Sequence, residues 1–144
     1  MKIYNICIVV AFILIALLIV FLGTGITMQK VRVSDINDAT ITFVYIDKNI
    51  NEKLTGEEVE ILKNIVNGKR LWFDDGGWSH GFTPDISFRF DDMIFSVAND
   101  TCAIIKLDKH KYKKDSGMYF SVTEEEKQKI YDIFKKYGGY FPCI

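Results

Sequence analysis

From Ile6 to Gly23 every position is apolar, and no charged residue stands between Lys2 and Lys30. A run apolar on all sides, extended to Met28, reads as a helix able to cross a hydrocarbon core of about 30 Å at ~1.5 Å per residue. It predicts a transmembrane anchor or signal segment over residues 1–28. Gly23-Thr24-Gly25 offers a weak cleavage site, but the apolar run is longer than a signal peptide needs, which favours an uncleaved anchor. Residues 29–38 read as a connector and residues 39–144 as one domain outside the membrane.

Beyond the leader the pattern breaks into short periods. Ala39–Asp47 alternates, with Ile41, Phe43 and Tyr45 on one side and Thr40, Thr42 and Val44 on the other, which predicts a strand. Asp47–Lys53 reads as a turn-rich link. The next segment switches to helical spacing: Thr55 caps, Glu58 reaches back three residues later, and Leu54 staples onto Val59. Val59, Leu62, Ile65 and Val66 then form an apolar stripe, and Gly68 stops the helix. The same grammar recurs with Thr123 and Glu126 at the start, Ile130, Ile133, Phe134 and Tyr137 as the stripe, and Gly138 as the stop.

Between these helices the period returns to two. Ile86–Phe90 and Met93–Val97 flank Asp91-Asp92 and predict a hairpin, while Cys102–Leu107 and Met118–Val122 predict two further strands. Short consecutive strands joined by turns pair most simply in antiparallel fashion. The expected class is α+β: an N-terminal transmembrane helix, then a two-layer domain with an antiparallel sheet of about four to five strands and two helices on one face.

Composition narrows the function classes. The chain has 144 residues with a formal charge of −1, and the leader contributes only Lys2 to that sum. This balance gives no electrostatic basis for gripping a phosphate backbone, so nucleic acid is excluded as an expected partner. The length allows one ordinary domain and no second. The expected partners are the lipid bilayer, through residues 3–28, and a protein or cell-envelope ligand.

Cysteine usage bears on compartment. Cys7 lies within the apolar run and reads as an ordinary small apolar side chain. Cys102 and Cys143 remain, the latter in a glycine-rich tail that would otherwise fray. A disulfide between them would stabilise the fold by roughly 4 kcal/mol and would fit an oxidising, extracytoplasmic location. The alternative is two free thiols in a reducing compartment. The basic residues on either side of the leader, Lys2 against Lys30 and Arg32, do not decide orientation.

Candidate chemistry concentrates in Leu71–Pro84, a long connection holding both tryptophans, two aspartates, a histidine and three glycines. Trp72 and Trp78 would offer flat apolar surfaces, with Asp74, Asp75 and His80 as polar groups orienting a ligand. The alternative is that the aromatic residues lid one end of the core. No metal or other cofactor is expected, since Asp74, Asp75 and His80 match neither zinc nor EF-hand spacing. A general base at His80 would lack a nearby nucleophile, so catalysis is less favoured than binding. The Lys109–Lys114 run reads as a solvated, edge-guarding loop.

Ala98-Asn99-Asp100-Thr101-Cys102, the Thr123-Glu124-Glu125-Glu126 helix start and the ending Tyr137-Gly138-Gly139-Tyr140-Phe141-Pro142-Cys143 resemble small exported or membrane-anchored proteins of low-GC Gram-positive bacteria. That group has no assigned activity. The resemblance implies compartment and a paired-cysteine fold, and it implies a cysteine where His80 stands here. The functional expectation is a membrane-anchored binding or interaction module outside the cytoplasm. Its alternatives are a small hydrolase using Asp74, Asp75 and His80, or a protective protein that sequesters a toxin or envelope-active agent.

Overall fold

The computed structural model describes the backbone of residues 2–23, 26–33, 35–74, 81–109 and 117–143; side chains are described at those positions except 2–5, 21–23, 26–28, 74 and 109. The leader forms α1 (Lys2–Gly23), whose described side chains, Ile6 to Val20, are exposed. Among the described residues no helix is long and apolar enough to cross a membrane. This corrects the expected transmembrane anchor over residues 1–28 and the single-pass membrane placement. Ile26–Lys30 forms strand β1 and joins the sheet, spanning the end of the expected leader and the first two residues of the expected connector.

The sheet has eight strands, not four to five. After β1 come β2 (Thr40–Tyr45), β3 (Lys48–Lys53), β4 (Arg70–Asp74), β5 (Ile86–Phe90), β6 (Met93–Val97), β7 (Ile104–Lys109) and β8 (Gly117–Ser121). Their spatial order is β1-β4-β8-β7-β6-β5-β2-β3, with antiparallel pairing throughout. The three strands beyond expectation have little apolar alternation of their own. β3 reads Lys-Asn-Ile-Asn-Glu-Lys, and it is held by ladder bonds to β2 at the sheet edge. The Asp91-Asp92 hairpin forms as expected, whereas the strand expected over Cys102–Leu107 starts at Ile104, leaving Cys102 in the preceding loop.

α2 (Gly56–Val66) and α3 (Glu124–Lys136) form where the capping pairs place them, and each carries a complete capping box. Their stripes share one core with the sheet, built around Phe43, Phe88, Phe95, Phe120 and Phe134. Phe88 and Phe95 stack across the β5–β6 pair with centroids 5.1 Å apart and planes 2° apart. Offset or edge-on ring pairs of this kind add about 0.5–1.5 kcal/mol beyond the area they bury.

The two helices lie antiparallel and are fastened at both ends by the same device. Glu58, the third residue of α2, accepts the Thr55 backbone N–H at 2.8 Å; it also accepts Lys136 Nζ at 2.6 Å and the Tyr137 hydroxyl at 2.7 Å, both from the far end of α3. Glu126 at the start of α3 accepts the Thr123 N–H at 2.7 Å, and both its oxygens bond Lys69 Nζ, just past the end of α2, at 2.9 and 2.7 Å. Each carboxylate therefore completes its own helix start and binds the lysine at its neighbour's finish. Burial disfavours the Glu58 carboxylate, but the bonds from Lys136, Thr55 and Tyr137 outweigh it and hold the group down at about 2.

The tail is fixed without a covalent link. Cys7, Cys102 and Cys143 are all free thiols, which corrects the expected Cys102 to Cys143 disulfide. Phe141 stacks on Tyr131 with centroids 4.1 Å apart and meets Phe134 and Phe43 edge-on, filling the end of the core. The Cys143 N–H donates to Asn99 O at 3.0 Å, and its thiol donates to Tyr140 O at 2.8 Å. Burial pushes the Cys143 thiol up to about 11, and burial followed by the nearby Asp100 charge raises Cys102. Both stay protonated and poorly nucleophilic near neutral pH. The extracytoplasmic location rested on the anchor and the disulfide, and neither support stands.

Candidate functional site

Alternation sends every second residue of the sheet away from the helices. On that outer face the register aligns Thr42, Ser87, Ser96, Lys106, Tyr119 and Trp72 in one row across β2, β5, β6, β7, β8 and β4. The row is not a solvent-washed surface: Ser87 is 3%, Ser96 0% and Tyr119 6% exposed. Part of its cover is the returning limb of the Leu71–Pro84 connection. Phe82 meets the Tyr119 ring edge-on at 5.5 Å, and the Ser87 hydroxyl donates to Pro84 O at 2.6 Å. Gly81, at φ +64°, lies so close to Asn99 that a Cβ there would fall 1.9 Å from its Oδ1, so only glycine fits.

Trp72 and Tyr119 are direct cross-strand partners, and their rings stack at 6.5 Å and 23°. Tyr119 also fills the space above Gly117, where a Cβ would lie 2.7 Å from its Oη and 2.8 Å from Lys106 Cε. Lys106 Nζ stands 3.3 Å from Asp108. The Ser96 hydroxyl, in the middle of the row, is buried and makes no hydrogen bond among the described residues. A buried hydroxyl without a partner costs roughly 1–3 kcal/mol.

Beside the stacked pair opens a cleft of about 310 Å³ lined by Arg70, Leu71, Trp72 and Ser121. Arg70 sits two residues before Trp72 on the same face of β4, and its partner on β1 is Lys30. Two cations thus stand directly opposite each other, an arrangement that opposes strand pairing. Among the described residues neither has a carboxylate partner.

Of the residues expected to form a site, Trp72 lies in this cleft as a half-buried platform. Asp74 ends β4 in register with Gly117, and its side chain lies outside the described set. Asp75, Trp78 and His80 lie outside the described residues. Among the described residues no group of three His, Cys, Asp or Glu side chains could hold a metal ion. Sequence reasoning missed Tyr119, Arg70, Lys30 and Ser121. Tyr119 carried a signal, being the aromatic residue opposite in phase to Met118 and Phe120. The two cations carried none, because their juxtaposition depends on β1 and β4 being strands.

Comparison with family models, with curated proteins and with solved structures finds no match for this chain. The functional reading therefore rests on the geometry of the outer face.

Proposed function

We propose that the protein is a binding module that holds a small ligand on the outer face of its sheet, with Trp72 as the platform. The observation that carries this is the cleft beside the Trp72–Tyr119 stack: an aromatic surface, a guanidinium and a hydroxyl converge on one concavity. Pockets that bind small molecules combine an apolar wall with a few converging polar groups in this way. At about 310 Å³ the cleft is at the small end of the usual range, which suits a ligand of one or two rings. The strands supply rigidity. Trp72 sits on β4, which is flanked by β1 and β8, so the platform is positioned by ladder bonds on both sides.

The test is a titration of the full chain with 2-naphthoate followed by the indole N–H resonances, with the Trp72 signal assigned from Trp72→Phe. The expected result is a saturable shift of the Trp72 resonance and of β4 and β8 amides, lost in Trp72→Ala while the unfolding transition stays cooperative. Shifts confined to other parts of the chain, or none at all, would remove this reading.

A further inference from the structure

We infer that the ligand is an organic anion, whose acidic group lodges between Lys30 and Arg70 while its planar, apolar body rests on Trp72. This deepens the reading above and rests on it. The register sets the two cations opposite one another on the face that also presents Trp72, with Arg70 lining the cleft and Lys30 across the strand pair from it.

Guarding a sheet edge accounts for a lysine on β1, which has no neighbour beyond it. It does not account for Arg70. β4 is an interior strand, paired to β8 on its other side, and a charge there has no edge to guard. Among the described residues neither cation meets a carboxylate. Two like charges forced together at a concave site are relieved by an anion placed between them. The guanidinium presents a planar fork that matches a carboxylate, sulfonate or phosphate, and the ammonium adds a point charge from across the strand pair. Ser121, which also lines the cleft, offers a hydroxyl from β8, on the other side of β4 from Lys30. The indole offers its face to the rest of the molecule. The chemistry asked of the ligand is thus one acidic group next to an aromatic or otherwise flat apolar portion, without the length of a polymer.

The experiment compares three probes on the full chain by calorimetry and by the Trp72 resonance: 2-naphthoate, the neutral 2-naphthalenemethanol, and inorganic phosphate. The expected ranking places naphthoate at least about tenfold tighter than either of the others, with an affinity that falls as salt rises. Arg70→Gln and Lys30→Gln should each erase most of that preference, and Arg70→Lys should restore part of it. Lys30→Gln, at the sheet edge, keeps the test readable if the Arg70 variant fails to fold. Equal binding of the neutral and anionic rings at Trp72 would overturn the inference and leave the binding reading standing. Phosphate binding as tightly as naphthoate, indifferent to Trp72→Ala, would overturn the assignment of the ligand's body. No binding by any probe would remove both readings.

Discussion

Along β6, Phe95 and Ser96 are consecutive and equally inaccessible, each at 0% exposure, yet they face opposite sides of the sheet in opposite company. Phe95 points to the helices and meets Phe88, Phe90 and Phe120 ring to ring. Ser96 points away, between Ser87 and Lys106 in the register, with its hydroxyl unbonded. One face is closed by interlocking aromatic side chains and by two helices clasped through carboxylates. The other is covered in part by the limb at Phe82 to Pro84 and has a cleft beside it, where among the described residues Arg70 and Lys30 meet no carboxylate. A structure optimised for stability alone would fill that cleft and pair that charge.

The contrast can be broken most severely on the helix side. Phe95→Ala should cost about 3–5 kcal/mol, because the rings around it cannot collapse into the space; a denaturant melt checks it. Glu58→Ala comes next, at roughly 2–4 kcal/mol, since it removes a capping box and the bonds to Lys136 and Tyr137 together. Glu126→Ala should cost only about 1–2 kcal/mol, its side chain being about a quarter exposed.

Acid sharpens the same difference. The Glu58 carboxyl is held at about 2 in the folded protein against its ordinary 4.5, so its contribution is complete above 4.5 and is lost as pH falls through 2. The loss is on the order of 3 kcal/mol, and Glu58→Gln should flatten that part of the acid unfolding curve. The smallest effects belong to the outer face. Ser96→Ala should be neutral or stabilising by up to about 1 kcal/mol, because it removes a hydroxyl that has no partner. Arg70→Gln should leave the melting transition within about 0.5 kcal/mol of the parent.

How much of this was legible in the chain follows the physics of each element. Both helix starts were readable residue by residue, since a capping box is a local contract between a threonine and a glutamate three positions on. The β5–β6 hairpin was readable because Asp91-Asp92 separates two alternating runs. β1, β3 and β4 were not. Their pairing energy comes from backbone bonds to neighbours far away in sequence, and their side chains carry too little alternation to announce it. The leader misled for a related reason, as Ile26–Met28 reads as its trailing end until β4 is known to be the partner of this segment. The tail misled because a cysteine near a terminus suggests a staple, whereas Phe141 against Tyr131 and Phe134 supplies the fixing by packing. Of the site, Trp72 was visible as a residue type, and what surrounds it depends on strand order.

The crossed attachment of the helices has a consequence for how the molecule breathes. Since Glu58 and Glu126 each tie a helix beginning to the other helix's end, opening the first turn of either one cuts loose the last turn of its neighbour. Fraying, ordinarily a private event at a single terminus, is thereby coupled between the two helices. The outer cleft lies on the far side of the strands from that pair.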